Sequence, residues 1–261
     1  MSARPVALVT GAKRGIGRAC GEALARAGFD IAATDLELDE QCVEAQRSFV
    51  DEGAKVEFFA HDVSDVASHT GLIEAVAQRF GGLDCLVNNA GRGAVQRGDL
   101  LDLTPENFDI VMSVNLRGTL FLTQAAARAM LARPALAGSR SIIAITSVSA
   151  ELASPERTDY CVSKAGLSMA MRNFALRLAP HGIAVFEVRP GVVRTDLTAP
   201  VAGRYDEAIG AGLVPAARWG EPADVGEAVA GLASGRFAFA TGSVICVDGG
   251  LSVPRLSMQQ R

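Results

Sequence analysis

The 261-residue sequence lacks the patterns typical of membrane-spanning, secreted or nucleic-acid-binding proteins. No apolar run approaches the roughly 18 residues that a membrane span needs. The apolar segment at residues 6–10 is also too short for the core of a signal peptide. The formal net charge is only −4 and the lysines and arginines do not cluster, so nothing predicts binding to nucleic acid. We therefore expect a globular chain without a membrane anchor.

The sequence also lacks the spacings typical of disulfide frameworks and metal sites. Its five cysteines are odd in number and scattered, which predicts reduced thiols in a cytoplasmic protein. No cluster of histidine, cysteine and acidic residues indicates catalytic zinc, and no metal is expected. A Gly-x-Ser-x-Gly sequence is missing as well, which leaves a hydrolase unsupported.

Short β-branched runs alternate with longer stretches of helical periodicity along almost the whole chain. The predicted strands are residues 6–10, 31–34, 56–60, 83–88, 141–146, 184–189 and 243–247, and the predicted helices are residues 15–28, 40–52, 64–80, 104–131, 159–179 and 222–234. Strands that are apolar on both faces, each followed by a crossover helix, predict an α/β fold of the Rossmann type. We expect a doubly wound, mostly parallel seven-stranded sheet with helices on both faces, in three layers. No linker divides the sequence, so residues 1–261 are expected to form a single domain.

Unusual residues follow six of the predicted strands directly at their carboxyl ends. In chain order they are residues 10–17, Asp35, Asp62, residues 88–91, Ser147 and the pair Pro190 and Gly191. The carboxyl ends of parallel strands share one edge of the sheet, and open α/β sheets bind their ligands at that edge. The convergence of six such positions predicts a binding cleft there.

The turn after the first strand has the spacing Gly-x-x-x-Gly-x-Gly, with glycines at positions 11, 15 and 17. Glycines permit a tight turn, and the amides at the start of the following helix favour a pyrophosphate group. Asp35 can accept hydrogen bonds from both hydroxyls of an adenosine ribose, and its charge repels a 2′-phosphate. Arg14 acts in the opposite direction because its cation could pair with that phosphate. The sequence favours NAD as cofactor and leaves NADP open.

Tyr160 and Lys164 are one helical turn apart and therefore share a helix face. A free tyrosine has a pKa near 10 and is a poor base at neutral pH. A neighbouring ammonium, helped by an oxidised nicotinamide ring, would lower that pKa. Tyr160 could then take the proton of an alcohol while hydride leaves to the cofactor, and Ser147 could hydrogen-bond the substrate oxygen. These residues predict an NAD(H)-dependent oxidoreductase that interconverts a secondary alcohol and a ketone.

With these motifs the chain resembles the short-chain dehydrogenase/reductase superfamily over nearly its whole length. The resemblance implies a catalytic tetrad of Asn115, Ser147, Tyr160 and Lys164. Asn115 would hold a water in a proton relay to Lys164, whose ammonium also binds the nicotinamide ribose. Motifs and resemblance together indicate these cofactor-binding residues: Gly11, Arg14, Gly15, Ile16, Gly17, Asp35, Leu36, Asp62, Val63, Asn89, Ala90, Gly91, Tyr160, Lys164, Pro190, Gly191, Val193 and Thr195. Members are usually homotetramers or homodimers built through the fourth and fifth helices.

Two other functions stay open. Within the superfamily the chain is similar to 3-oxoacyl-[acyl-carrier-protein] reductases, so reduction of such a substrate with NADPH is the alternative. Those reductases usually lack an acid equivalent to Asp35, and they carry a small glycine-rich segment where this chain has residues 151–157. A remote alternative is a dinucleotide-sensing protein without catalysis. Such proteins typically lose the tyrosine or the lysine, and this chain has both.

The substrate wall is expected from residues 92–96, 148–157 and 192–219. Polar candidates near its mouth are Arg92, Glu151, Arg157 and Arg204. Our hypothesis is that one or more of these arginines binds a polar or anionic substrate, such as a sugar-derived compound or a hydroxy acid. The alternative is that they are solvated surface arginines.

Overall fold

The computed structural model describes residues 4–135 and 138–255, and a sheet of seven strands forms its centre. The strands are β1 (Val6–Thr10), β2 (Asp30–Asp35), β3 (Val56–Ala60), β4 (Cys85–Asn88), β5 (Arg140–Ile145), β6 (Ile183–Pro190) and β7 (Val244–Val247). Their order is β3-β2-β1-β4-β5-β6-β7, and every neighbouring pair is parallel. The predicted doubly wound Rossmann-type sheet is confirmed, and its strands are all parallel rather than mostly so.

Helices cover both faces of this sheet. They are α1 (Gly15–Arg26), α2 (Glu40–Asp51), α3 (His69–Phe80), α4 (Pro105–Met112), α5 (Thr119–Leu131), α6 (Thr158–Leu178), α7 (Ala202–Gly210) and α8 (Pro222–Ala233). One apolar cluster includes side chains of α1, α2 and α8, and the other includes side chains of α3, α5 and α6. Because both faces are covered, all residues of β1 and of β6 are buried, which explains their near-continuous apolar sequence.

The long helix predicted over residues 104–131 forms over Pro105–Leu131, but it contains a π-helical turn that the sequence did not predict. Thr104 caps its start as expected, since the hydroxyl oxygen accepts from the backbone N–H of Asn107. The helix is then interrupted by a π-helical turn, Ser113–Gly118, between α4 and α5. At Gly118 a Cβ would lie 2.0 Å from the carbonyl oxygen of Val63, so the helix can approach the loop after β3 only with glycine there. Such π-turns often mark functional sites, and this one contains Asn115.

The helix predicted over residues 64–80 begins later than expected. Asp65 caps a short 3-10 turn, Val66–Ser68, by accepting from the backbone N–H of Ala67. The α-helix itself starts at His69. None of the three residues of the 3-10 turn is buried, so no buried apolar face marked the start of the α-helix. No helix in the described part of the chain combines the length and the apolarity needed to cross a bilayer.

Two neighbouring histidines beside the loop after β3 are expected to make stability depend on pH. The rings of His61 and His69 lie 5.3 Å apart, and burial lowers the pKa of both. Because the folded state resists protonation, stability is complete above the unfolded pKa of about 6.5 and is lost as the pH falls below it. We expect the melting temperature to drop between about pH 6.5 and 5, and the drop to shrink in the His61→Gln/His69→Gln double variant.

The third histidine, His181, serves as the control for this experiment because it is exposed at the end of α6. His181→Gln should keep the acid-dependent drop of the parent protein. An equal drop in the parent and in the double variant would show that other groups cause the acid sensitivity.

Candidate active site

The turn between β1 and α1 can be built only from glycine at three positions. Gly11 and Gly15 have φ angles of +63° and +54°, in the left-handed region. At Gly17 a Cβ would lie 2.0 Å from the carbonyl oxygen of Gly11. Ile16 between them packs against the core. No described side chain caps the start of α1, and amides at a helix start fit an anionic diphosphate group.

The loop after β4 is fastened to this glycine turn by Thr10 and Asn89. The Thr10 hydroxyl oxygen accepts from the backbone N–H groups of Asn89 and Ala90, at 3.0 and 2.9 Å. The Asn89 amide in turn donates to the carbonyls of Thr10 and Gly11, at 2.9 and 3.0 Å. Since β1 and β4 are the strands at which the chain order of the sheet reverses, both loops line the expected ligand crevice.

Asp35 lies at the carboxyl end of β2, beside the glycine turn. Its carboxylate accepts from the backbone N–H of Lys13 at 3.2 Å and from that of Leu36 at 3.0 Å. The Lys13 ammonium is 3.6 Å from Asp35 and 2.7 Å from Asp39, so it partly balances both acids. The Leu36 side chain is exposed next to them. A carboxylate therefore stands where an adenosine ribose would meet this edge.

Arg14 does not extend toward Asp35. Its guanidinium pairs with the carboxylate of Asp196 at 2.9 Å, in the loop after β6. Thr195 of the same loop lies close to Gly15, because a Cβ there would be 3.6 Å from the Thr195 methyl. The loop after β6 thus approaches the glycine turn, and the Arg14 cation is engaged on that side.

The remaining cofactor candidates form the two flanks of the crevice. After β3, Asp62 accepts from the backbone N–H and the hydroxyl of Ser64, at 2.8 and 2.7 Å, and Val63 is buried. At the end of β6, Pro190 and Gly191 pack beside Asp248, since a Cβ at Gly191 would lie 2.7 Å from that of Asp248. Val193 is buried and pairs with Gly220.

Ser147, Tyr160 and Lys164 come together at the same edge. Ser147 follows β5, and the other two residues are one turn apart on α6. The Lys164 ammonium lies 5.7 Å from the centre of the Tyr160 ring and donates to the carbonyl of Ile145 at 3.0 Å. Gly91 lies next to this group, because a Cβ at Gly91 would be 3.5 Å from the Lys164 side-chain nitrogen. A phenol, a hydroxyl and an ammonium therefore face one position.

The electrostatics of Tyr160 differ from the expectation. Burial raises its pKa, and a hydrogen bond with Ser147 and the charge of Arg157 act against that rise. Burial lowers the pKa of Lys164 to about 8, opposed by the carboxylate of Glu187. The cation that lowers the Tyr160 pKa here is Arg157, whereas we expected Lys164. At neutral pH Lys164 is mainly charged and the phenol keeps its proton.

Asn115 sits in the π-helical turn with both of its amide hydrogens engaged. Its amide nitrogen donates to the carbonyl of Arg92 at 2.9 Å and to the hydroxyl of Ser163 at 3.1 Å. Its amide oxygen accepts from the backbone N–H of Arg92 at 2.8 Å. The side chain therefore fixes the loop after β4 next to Lys164, and the proton relay through Asn115 stays a prediction.

The charged candidates at the mouth are arranged in different ways. Glu151 pairs with the buried Arg189, Arg204 lies 3.7 Å from Glu156, and the Arg92 side chain is exposed. A cavity of about 590 Å³ opens between residues 97–100, Pro155, Glu156 and Arg204, outside the group formed by Ser147, Tyr160 and Lys164. Arg157, by contrast, lies against Tyr160 itself, with its guanidinium carbon 5.5 Å from the ring centre.

Sequence reasoning missed several residues that support the site. Thr10 and Ser163 anchor its loops, and Glu187 and Arg189 form a buried pair below α6. The signal for the pair was present, because two charged residues alternate within an otherwise apolar strand. In the described ranges no three histidine, cysteine or acidic side chains come together as a possible metal site.

Comparison with known proteins places these features in context. A family model described as enoyl-(acyl carrier protein) reductase matches residues 11–252. The chain is 36% identical over 247 residues to a 3-oxoacyl-[acyl-carrier-protein] reductase of Haemophilus influenzae, covering 94% of this chain and 97% of that protein. It is 33% identical to a gluconate 5-dehydrogenase of Gluconobacter oxydans, covering 95% and 94% of the two chains.

A solved structure is more similar still. The crystal structure of a 3-oxoacyl-[acyl-carrier protein] reductase from Brucella melitensis, in complex with NAD, matches with a TM-score of 0.95 and 57% identity. The match covers 98% of this chain and 100% of that one. The relatives thus correspond to the present chain over almost its full length, and they include proteins named for different substrates.

Proposed function

The chain belongs to the short-chain dehydrogenase/reductase superfamily, oxidoreductases acting on CH–OH donors, and on that premise we propose that it interconverts a secondary alcohol and its ketone with NAD(H). The observation that carries the proposal is the meeting of Ser147, Tyr160 and Lys164 beside the glycine turn. A proton carrier and a dinucleotide-shaped crevice at one sheet edge are the two parts that hydride exchange at a carbinol carbon needs.

In this proposal the Tyr160 hydroxyl moves the proton. Ser147 holds the substrate oxygen next to it by a hydrogen bond. The Arg157 charge favours the phenolate when the proton has left, and the Lys164 ammonium lies against the same ring. A bound nicotinamide would supply the hydride acceptor or donor. Asn115 acts by fixing the loop after β4. Because the phenol is protonated at neutral pH, the site is prepared for ketone reduction there and for alcohol oxidation at higher pH.

NAD is the proposed cofactor, and the position of two charges supports it. The Asp35 carboxylate stands at the end of β2, where a 2′-phosphate would be repelled. Arg14, the cation that could have offset this, is paired with Asp196 instead. The glycine turn leads directly into the start of α1, where backbone amides favour a diphosphate.

The proposal is tested by mixing the protein with NAD⁺ and a panel of secondary alcohols, and with NADH and the matching ketones, while the absorbance of the reduced cofactor is followed. We expect turnover with NAD(H), faster than with NADP(H) at equal concentration. Cofactor binding without any turnover across the panel would favour a dinucleotide-sensing protein and contradict the proposal.

Removing the Asp35 charge is expected to change cofactor preference. In Asp35→Ser the KM for NAD should rise about tenfold, since two hydrogen bonds to the ribose are lost, while the KM for NADP falls. The measurement is the ratio of kcat/KM for the two cofactors. Asp39→Asn is the matched control because it removes a carboxylate from the same lysine, Lys13, without touching β2. An equal change in both variants would assign the effect to Lys13.

A second candidate reaction is NADPH-dependent reduction of a 3-oxoacyl-[acyl-carrier-protein]. The names of the Haemophilus and Brucella relatives favour this substrate, and the Brucella structure is a complex with NAD rather than NADPH. Adding a 3-oxoacyl thioester to the panel discriminates the two, since rapid reduction with NADPH and poor use of NADH would select this alternative.

We further propose a homotetramer or homodimer in the cytoplasm. All five cysteines are free thiols, and these suit a reducing compartment. Light scattering of the purified protein measures the assembly mass, and a monomer at micromolar concentration would contradict the oligomer.

A further inference from the structure

Arg157 combines two features that the other arginines at the mouth of the site do not share: it is half-buried, and it has no acidic partner among the described residues. Arg14, Arg189 and Arg204 all pair with carboxylates. Arg157 makes no ion pair with any residue of the described ranges, although it is half-buried. A partly desolvated guanidinium without a counter-charge is costly for the protein to keep, so its environment favours an arriving anion.

The guanidinium is held in place by neutral groups. It donates from one terminal nitrogen to the hydroxyl of Ser149 and from Nε to that of Ser154, both at 3.3 Å. Its carbon lies 5.5 Å from the centre of the Tyr160 ring, so the cation rests on the proposed proton carrier. An arginine has five N–H donors, and only two are used here. The free ones form the planar fork that binds a carboxylate through two parallel hydrogen bonds.

We propose that Arg157 binds a carboxylate of the substrate, and that the substrate is a hydroxy acid, or its keto acid, whose carboxylate lies a few bonds from the reacting carbon. The proposal rests on the proposed function of the site, because the reacting carbon must face Tyr160 and Ser147. The short distance from the guanidinium to the Tyr160 ring limits how far the two ends of the substrate can be apart.

The other free arginines are less suited to this role. Arg92 and Arg97 are exposed, and Arg97 lines the outer cavity rather than the site. An exposed ion pair gains little free energy because water screens it, whereas a partly buried cation gains more from the same anion. Specificity for a carboxylate is therefore assigned to Arg157.

The test compares two sets of substrates with matched carbon skeletons in four proteins. One set is a series of hydroxy acids of increasing chain length. The other set is the matched alcohols, in which a hydroxymethyl group replaces the carboxylate. The proteins are the parent, Arg157→Met, Arg157→Lys and Arg172→Met. Methionine at position 157 keeps an apolar stem against the Tyr160 ring. Arg172 is an exposed arginine on α6, the helix that carries Tyr160.

We expect the parent to prefer the hydroxy acid, and Arg157→Met to lose about 30-fold more in kcat/KM for it than for the neutral alcohol, whose rate falls only through the lost charge beside Tyr160. The loss should lie mainly in KM. Lysine should restore part of the preference, and Arg172→Met should behave as the parent. Unaltered NAD affinity and melting temperature check that each variant is folded.

A second measurement does not depend on turnover of the acid. Simple carboxylates that lack a hydroxyl should compete with the neutral alcohol in the parent and no longer do so in Arg157→Met. An equal loss for acid and alcohol would mean that Arg157 acts only through Tyr160, and would overturn the substrate class. Turnover of the alcohols with no preference for the acids also overturns it while the proposed function stands, and no turnover of either class overturns both.

Discussion

Phenylalanine at position 160 is expected to lower kcat for alcohol oxidation about a thousandfold, because the variant removes the only group proposed to take the alcohol proton. Tyr160 sits between the Ser147 hydroxyl and the Lys164 ammonium, and its ring, which the substitution keeps, packs against Arg157. The change therefore deletes one hydroxyl and leaves the packing of α6 intact. Steady-state rates with saturating NAD⁺ measure the effect.

The pH profile of the same reaction separates a proton carrier from a packing residue. Since burial raises the Tyr160 pKa, oxidation by the parent should accelerate as the pH rises through the alkaline range, and the residual rate of Tyr160→Phe should lose that dependence. The affinity for NAD⁺ should change less than about threefold, because the phenol is expected to contribute little to ground-state binding. An intact rate in the variant would remove the basis of the proposed mechanism.

The sheet could be predicted from sequence because each strand carries its own evidence. Strands such as β1 and β6 are buried on both faces, so their apolar runs stand out between amphipathic helices. The site positions could be located for a related reason, since in a parallel sheet the residue after each strand lies at the same edge. Asp35 and Ser147 could be placed at that edge only because each directly follows a predicted strand.

The features that escaped prediction depend on contacts between distant parts of the chain. The π-helical turn at Ser113–Gly118 follows from the approach of Gly118 to Val63, which local periodicity cannot report. The direction of the Arg14 side chain depends on a partner 182 residues away. Arg157 was chosen only as a charge near the mouth, and its contact with Tyr160 required the folded loop before α6.

A buried network below α6 provides the second large effect. The Glu187 carboxylate accepts from Arg189 Nε at 2.6 Å, from the Thr146 hydroxyl at 2.7 Å and from the Ser168 hydroxyl at 2.7 Å. Arg189 also donates to Ser168 at 2.9 Å and pairs with Glu151 at the surface. Both members of the central pair are at most 3% exposed. The charges of Glu187 and Arg189 therefore neutralise each other within this network.

Glu187→Leu is expected to lower the free energy of unfolding by about 3–5 kcal/mol, because it leaves the buried Arg189 without its main counter-charge. Urea denaturation of each variant measures the loss. Replacing both partners, as Glu187→Leu/Arg189→Leu, should recover most of it, since the buried guanidinium is removed together with its counter-charge. A double variant as unstable as the single one would show that leucine packing, and not the unpaired cation, causes the loss in the free energy of unfolding.

The Glu187 charge also opposes the lowering of the Lys164 pKa. The single variant should therefore additionally shift the alkaline part of the pH profile of alcohol oxidation.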